Sequence, residues 1–233
     1  MDLSRFLSAI TARHCKRAFL DRPVPVEILE EVLRAAGHAP STRNTQFWQV
    51  AVLLGAARDA LADRLCARFD SGAPRRPDYQ NRPTVMGEVY QRRSQEWGAG
   101  LYRVRGVARD DVEARRAHDR DNFRFYGAPV AMIFHLPADS VAGTFLEMGL
   151  FLQNVMLGLV SCGLGSCPQY SVAGYAEEIR QFCGLGSDRL VVCGLSVGYV
   201  DEAAPVNGYH PPRAPLDSYV RWYRHVPSAP DNA

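Results

Sequence analysis

Helix-like and strand-like patterns alternate along almost the whole 233-residue chain, and this alternation limits the folds available to it. Apolar periodicity predicts helices over about 2–12, 26–38, 58–69, 83–106, 110–122, 143–163 and 175–182, and strands over about 48–54, 129–135 and 189–199. This order favours an α/β or an α+β architecture, and periodicity alone does not choose between them. A chain of this length buries a core without metals or disulfides.

The longest apolar helical stretch, 143–163, is interrupted by Gln153 and Asn154 and is predicted to be a core or interface helix. No stretch is expected to reach transmembrane length, and the first residues lack the apolar core and cleavage site of a signal peptide. The six cysteines show no C-x-x-C or Cys/His metal spacing, which indicates free thiols in a reducing compartment and no metal. A net charge of +2 does not suggest a nucleic-acid partner. A cytoplasmic protein that binds neither membrane nor nucleic acid is expected.

The segment ARHCKRAF, residues 12–19, concentrates anion-binding groups. Arg13, Lys16 and Arg17 place three cations within five residues, and His14 and Cys15 add further polar groups between them. Arginine suits bidentate contact with a phosphate monoester. The segment therefore matches a phosphate site, although a solvated basic helix end is the alternative.

A second polar segment, APSTRNTQFW, occupies residues 39–48. Pro40 ends the preceding helical pattern, and the hydroxyl and amide side chains that follow predict a non-helical loop. This loop leads directly into the strand that begins at about Trp48. Loops that feed central strands are common ligand sites in α/β proteins, so the two segments together suggest a cofactor site.

The two segments and the helix between them form one pattern, R-[RH]-[SC]-x-[KR]-x-F, then a helix, then A-P-S-x-x-N-x-Q-x-W. This pattern resembles that of the FMN-dependent nitroreductase family. Three further stretches are similar to the family. Residues 147–168 resemble its long helix with the G-L-G-[ST]-C-P turn, 190–198 resemble its late strand, and 213–216 resemble its C-terminal R-x-P-L. The stretch NFRFYGAP, 122–129, is most similar to the nitrobenzoate and dinitroaniline reductase branch. The resemblance covers about residues 5–220.

This resemblance implies a single-domain α+β fold with a mixed, mostly antiparallel sheet flanked by helices. It also implies an intertwined homodimer in which the long helices pack together and two FMN molecules lie at the interface. A variable excursion at about 70–125 is expected to form the substrate pocket with partner residues. From about residue 203, a C-terminal arm is expected to wrap the partner subunit.

The resemblance also assigns residues to FMN. Arg13, Arg17 and Arg213 would hold the phosphate. Asn122 and Arg124 would hold the pyrimidine edge of the ring, with a surface position at a helix end as the alternative for one of them. Asn44 would reach the flavin from the partner subunit. Glu147 would lie near the flavin, with an exposed helix position as the alternative. The turn 167–171 would present backbone amides to the ring nitrogen N5, while Lys16 falls between the matched positions. Cys15 stands where the family usually has serine, and a thiol forms weaker hydrogen bonds than a hydroxyl. The full set of cofactor-binding residues expected from the resemblance is Arg13, His14, Cys15, Arg17, Pro40, Ser41, Thr42, Asn44, Gln46, Asn122, Arg124, Glu147, Pro168, Gln169, Tyr170 and Arg213.

The implied activity is hydride transfer from NAD(P)H, through FMN, to a nitroaromatic substrate in a ping-pong cycle. No catalytic side chain is expected, because the cofactor carries the redox step. A flavin-dependent oxidase or dehydrogenase of a biosynthetic intermediate and a non-catalytic flavin-binding dimer are the alternatives. Arginines in the excursion, such as Arg103 and Arg105, could attract a carboxylated aromatic, although a solvated surface is the other interpretation.

Overall fold

A computed structural model describes residues 3–224 of the chain. Helices and strands alternate over this range as the sequence pattern predicts. The helices are α1 (Leu3–Ala12), α2 (Val26–Ala36), α3 (Gly55–Asp70), α4 (Glu88–Val104), α5 (Val112–Asp121), α6 (Ala142–Ser161), α7 (Tyr170–Ala173) and α8 (Ala176–Cys183). The strands are β1 (Gln49–Leu54), β2 (Val130–Pro137), β3 (Gly165–Gln169) and β4 (Arg189–Gly198).

The four strands form one sheet in the order β1-β2-β4-β3, and every neighbouring pair is antiparallel. A parallel bridge from Cys15 to Ser166 adds the basic segment to the outer edge of β3. A second, antiparallel bridge joins Phe19 to Val200. The sheet is therefore mixed and mostly antiparallel, and its edge at β3 is covered by the segment that carries the cations.

Two apolar layers cover the two faces of the sheet, and the alternation of side chains along β2 separates them. Met132 and Phe134 lie in the same cluster as residues of α2 and α6, whereas Ala131 and Ile133 pack with residues of α3 and α8. Both layers are needed because β2 is buried along almost its whole length. This is the expected α+β arrangement of helices around a sheet.

Helix α6 is the longest helix among residues 3–224, and it packs against α2 at close range. A Cβ at Gly158 would lie 3.0 Å from a methyl carbon of Val32, so a larger residue at this crossing would press against Val32. With 20 residues and a mean hydropathy of 1.4, α6 is long and apolar enough to cross a membrane by length and composition. The prediction that no stretch has this length was therefore wrong. Its inner face nevertheless packs in the core through Met148, Phe151 and Val155.

The segment 167–171, predicted as a turn, is instead the end of β3 followed by the short helix α7. After α6, the chain reverses at Gly163, whose φ of 72° lies in the left-handed region that glycine adopts readily. It then pairs with β4 from Gly165 onward. Pro168 obscured this strand in the sequence, because proline is tolerated in sheets mainly at an edge such as this one.

Candidate functional site

The basic segment lies at the edge of β3, and we call residues 13–17 the cradle segment. The Lys16 backbone N–H donates to the Ser166 carbonyl at 3.0 Å, which holds the segment to the sheet. All five side chains are half-buried. The sheet edge therefore carries a row of cations that is neither fully solvated nor part of the core.

Asn207, a residue that the sequence analysis did not identify, holds the cradle segment from behind. Its side chain is 1% exposed, and its Oδ1 accepts from the Arg17 backbone N–H at 2.7 Å. Its Nδ2 donates to the carbonyls of Ala18 at 2.7 Å and Asp201 at 2.9 Å. Every side-chain contact joins backbone groups, so Asn207 sets the path of the segment. Nothing in the local sequence, PVNG, signals this role.

His14 and Lys16 are engaged within the chain. The two ring nitrogens of His14 lie 2.8 Å from the Ala12 carbonyl and 2.9 Å from the Asn207 carbonyl. The Lys16 ammonium donates to the same Asn207 carbonyl at 3.3 Å and lies 3.8 Å from a Glu202 carboxylate oxygen. Carbonyls therefore face both nitrogens of the His14 ring, and its contact with the cofactor stays a prediction.

Arg17 is the cation in the cradle segment whose bonding is incomplete. Its guanidinium lies 5.7 Å from the ring centre of Trp97 and 6.0 Å from that of Tyr126, whose hydroxyl it hydrogen-bonds. The Nε atom is buried without a hydrogen-bond partner. Among residues 3–224, neither Arg13 nor Arg17 forms an ion pair with a carboxylate. A buried and unpaired guanidinium is costly, so this arrangement suits an anionic ligand.

Two thiols lie beside these guanidiniums. Cys15 hydrogen-bonds both the Cys167 thiol and the Arg13 guanidinium. The Cys167 hydrogen bond and the charges of Arg17 and Arg13 outweigh burial and lower the Cys15 pKa to about 6. The same hydrogen bond, together with burial, raises the Cys167 pKa well above its ordinary value. Cys15 is therefore the more acidic of the two thiols.

The polar loop 41–47 is exposed and conformationally strained. Arg43, Asn44 and Gln46 have φ values of 53°, 60° and 50°, in the left-handed region that side chains seldom adopt. The Gln46 amide donates to the carbonyl and side-chain oxygens of Asn44, at 3.2 and 2.9 Å. Such strain persists where surrounding contacts enforce it, and it is common at ligand sites.

Glu147 of α6 supplies the contact that anchors this loop. Its Oε1 accepts from the Thr42 backbone N–H at 2.7 Å, while its Oε2 is buried without a partner. The side chain is 8% exposed, so the alternative of an exposed helix position is excluded. Glu147 Oε2 is therefore a buried acceptor without a partner, whereas Arg17 Nε is a buried donor without one.

Replacing Glu147 with alanine is expected to release the loop, because the Thr42 N–H loses its buried acceptor at a cost of about 1–3 kcal/mol. Trypsin should then cleave after the exposed Arg43 faster than in the unmodified protein, as mapped by mass spectrometry of timed digests. Glu147→Gln retains an acceptor and is the matched control. Equal protection of Arg43 in the alanine and glutamine variants would exclude this anchoring role.

The ring-edge candidates around Asn122 form a closed network. The Gln169 amide donates to the Asn122 carbonyl at 2.7 Å, and Gln169 Oε1 accepts from the Ser196 hydroxyl. Tyr126 donates to Asn122 Oδ1 at 2.8 Å and adopts a φ of 53°. Burial raises the pKa of Tyr126, which keeps its hydroxyl protonated. Tyr126 connects this network to Arg17, a link that sequence reasoning missed although Tyr126 lies inside the NFRFYGAP motif.

Four of the residues expected to contact the cofactor have side chains that are engaged within the chain or exposed, and their contacts with the cofactor stay predictions. The Gln169 side chain is fully engaged inside the protein, and the Tyr170 hydroxyl donates to the Tyr79 carbonyl, on the side of the excursion. Arg124 is exposed, and its charge reaches Cys66 of α3. Arg213 is also exposed and hydrogen-bonds the Pro211 carbonyl at 3.4 Å. Within one subunit, Arg13 and Arg17 are left as the expected phosphate ligands.

The C-terminal arm nevertheless begins beside the cradle segment. The Tyr209 hydroxyl donates to the Trp97 carbonyl at 3.2 Å, and any side chain at Gly100 would collide with the Tyr209 ring. The centre of the His210 ring lies 3.9 Å from that of His14, with the ring planes tilted by 47°, and the nearby charge of His14 lowers the pKa of His210. Arg213 therefore comes shortly after His210, which contacts the cradle segment, although the Arg213 side chain itself is exposed.

A cavity of about 750 Å³ lies between α4 and α5. It is bordered by Tyr102, Arg103, Arg109 and Arg115, on the face of α4 opposite Trp97. Arg105, a candidate for attracting a carboxylated substrate, is instead paired with Asp121 and His118. In the part of the chain that the structure describes, no group of three or more His, Cys, Asp or Glu residues could hold a metal ion.

The chain matches the nitroreductase family over residues 10–199. It is 39% identical to the nitroreductase NfnB of Mycolicibacterium smegmatis over 92% of this chain and 91% of that protein. It is 35% identical to a 4-nitrobenzoate reductase of Pseudomonas putida, over 93% and 95% of the two chains. The crystal structure of an FMN- and NADPH-dependent nitroreductase NfnB from Sphigopyxis sp. strain HMH superposes with a TM-score of 0.92, at 37% identity, over 94% of this chain and 99% of that one. NfnB from Mycobacterium smegmatis, in complex with NADPH, gives 0.91 at 36% identity, over 96% and 100%.

Proposed function

This chain belongs to the nitroreductase family, and from that membership we propose that it is an FMN-dependent enzyme that reduces nitroaromatic compounds with NAD(P)H. The observation that carries the proposal is the half-buried cation pair at the sheet edge, with Arg17 Nε buried and unpaired. Two solved relatives with the same fold are described as FMN-dependent, one of them in complex with NADPH. The curated relatives include reductases of 4-nitrobenzoate and nitrobenzene.

The residues present fit FMN. Arg13 and Arg17 supply the two guanidiniums that a phosphate monoester requires, and neither has a carboxylate partner among the described residues. The loop 41–47, which Glu147 anchors, would reach the ribityl chain and ring. The Tyr126 side chain holds Arg17 in place through a hydrogen bond. The chemistry that FMN supplies when bound is two-electron transfer between NAD(P)H and a nitro group.

The protein's own contribution is binding and orientation. The redox step would be carried by the cofactor, so the side chains at the site would hold and orient it. We propose that NAD(P)H and the nitroaromatic occupy the same flavin face in turn, in a ping-pong cycle. The excursion at 70–125 would border that face, and the free thiols among the described residues support a cytoplasmic location.

Aerobic purification followed by steady-state assay tests this function. We expect yellow protein with bound FMN, and consumption of NADPH or NADH that depends on added 4-nitrobenzoate or nitrobenzene. Protein that neither carries nor binds FMN would overturn the proposal. Reduction by NAD(P)H that is slow, with rapid turnover of a reduced organic substrate by oxygen, would favour a flavin oxidase instead. Bound flavin that NAD(P)H does not bleach would favour a non-catalytic binding dimer.

We propose that the active form is a homodimer. Large apolar side chains are exposed on α1 at Phe6 and Leu7 and on α6 at Leu146, which is 68% exposed. The arm adds Tyr219 and Trp222, the latter 77% exposed. Exposed apolar groups on two helices and an extended arm indicate an interaction surface. A second copy of the chain would bury the face of α6 and receive the arm.

Leu146→Glu is expected to weaken the dimer, because a carboxylate would be buried at an apolar interface at a cost of several kcal/mol. Light scattering coupled to gel filtration should show a shift toward monomer. Val112→Glu, at an equally exposed apolar position on α5, is the matched control and should remain dimeric. A Leu146→Glu protein that stays dimeric at low concentration would exclude this face of α6.

A further inference from the structure

Trp97 of α4 faces Arg17, the cation of the cradle segment whose Nε is buried without a partner. The Arg17 guanidinium carbon lies 5.7 Å from the centre of the Trp97 ring and 6.0 Å from that of the Tyr126 ring. At these distances the face of an aromatic ring attracts a cation, and tryptophan attracts it more strongly than tyrosine or phenylalanine. Trp97 therefore favours one position of the Arg17 side chain.

The start of the C-terminal arm holds Trp97 beside the cradle segment. The Tyr209 hydroxyl donates to the Trp97 carbonyl at 3.2 Å. Nearby on α4, a Cβ added to Gly100 would lie 2.6 Å from a ring carbon of Tyr209, so the helix and the arm are in close contact. Two residues before Tyr209, Asn207 binds the Arg17 backbone N–H. The segment 207–209 therefore fixes Arg17 in two ways, through its backbone and through Trp97.

The Trp97 side chain lies outside the hydrophobic core. It is 41% exposed, and the two apolar clusters found among residues 3–224 do not include it. Replacing a side chain that is this exposed leaves no cavity in the core, so the fold should tolerate substitutions at this position. The contact with Arg17, rather than core packing, is therefore the feature that a variant of Trp97 would remove.

We propose that Trp97 is a positioning residue for the Arg17 guanidinium and thereby contributes to recognition of the FMN phosphate. This inference rests on the proposed function, because it takes Arg17 as a ligand of that phosphate. A guanidinium that is already held in place loses less conformational freedom when it pairs with an anion, so binding is stronger. The effect depends on the phosphate. Trp97 should therefore favour FMN over riboflavin, which has the same ring and ribityl chain but no phosphate.

Titration of the full-length, flavin-free protein with FMN and with riboflavin tests this role, with flavin fluorescence as the readout. Trp97→Leu keeps an apolar side chain but removes the aromatic face, so the dissociation constant for FMN should rise roughly 2- to 5-fold. The dissociation constant for riboflavin should stay unchanged. Trp97→Phe keeps an aromatic ring and should restore most of the FMN affinity. Tyr102→Leu, on the opposite face of α4, is the matched control and should change neither affinity.

A double variant separates positioning of Arg17 from direct contact with the flavin. If Trp97 acts through Arg17, the protein carrying both Arg17→Ala and Trp97→Leu should bind FMN as weakly as Arg17→Ala alone. A further loss of affinity in the double variant would overturn the proposal. An equal loss of FMN and riboflavin affinity in Trp97→Leu would also overturn it, because it would indicate contact with the flavin ring.

The same titrations distinguish failure of this role from failure of the proposed function. Unmodified protein that binds neither flavin would overturn the proposed function, and the role of Trp97 with it. Unmodified protein that binds FMN, together with a Trp97→Leu protein of unchanged FMN affinity, would overturn only the role of Trp97. The readout is binding of two flavins and does not depend on turnover of a nitroaromatic substrate.

Discussion

Replacing Arg17 with alanine is expected to release FMN while leaving the fold intact. A hydrogen bond to a charged group contributes about 1.5–3 kcal/mol, so the dissociation constant should rise roughly 10- to 100-fold. The fold should tolerate the change, because the variant also removes the buried Nε that has no partner. Quenching of flavin fluorescence during titration with FMN measures the affinity, and thermal unfolding of the flavin-free protein checks the fold.

Arg22→Ala is the matched control for this variant. Arg22 lies in the same stretch of chain, but its guanidinium packs 3.8 Å from the ring centre of Tyr199, outside the cradle segment. It should retain FMN with unchanged affinity. Arg17→Lys should fall between the two, because lysine keeps the charge but not the planar set of donors. Equal flavin affinity in the Arg17→Ala and Arg22→Ala proteins would show that Arg17 does not bind the cofactor.

Asn207→Ala is expected to destabilise the protein by about 2–4 kcal/mol, because three buried backbone groups lose their partner together. Urea unfolding should show a lower midpoint with a similar slope. The flavin affinity of the folded fraction should also fall, since Asn207 binds the backbone N–H of Arg17 and the carbonyl of Ala18. Stability and binding are therefore coupled at this residue, unlike at Arg17.

Two further variants separate the contacts of Asn207. Asn207→Asp keeps the acceptor for the Arg17 N–H but loses both donated bonds, so an intermediate loss of stability is expected. Asn81→Ala changes an exposed asparagine in the excursion and should alter the unfolding free energy by less than about 0.5 kcal/mol. If Asn207→Ala and Asn81→Ala unfold at the same urea concentration, Asn207 is not the support inferred from its contacts.

Much of the fold was predictable because it depends on local periodicity. The predicted helix at 26–38 corresponds to Val26–Ala36, and the predicted strand at 189–199 to Arg189–Gly198. Strand β3 was missed because its edge position and Pro168 weaken the strand pattern. The family resemblance, rather than periodicity, correctly indicated the α+β architecture, since it drew on motifs spread along nearly the whole chain.

The candidate site was predictable only in part. The clustered cations and the polar loop could be recognised locally, and their meeting at one cofactor site stays a prediction. Asn207, Trp97 and Tyr126 could not be assigned in this way, because their roles depend on contacts with Arg17 and its backbone. His14 matched the family motif, yet its nitrogens face carbonyls of the same chain.

The helices, most of the strands and the position of the cationic segment could be predicted from residue types at short spacing. Which polar groups remain free for a ligand depends instead on how distant parts of the chain pack together. Burial and hydrogen-bond satisfaction are set by elements distant in the chain: the Arg17 backbone is held by a residue 190 positions away.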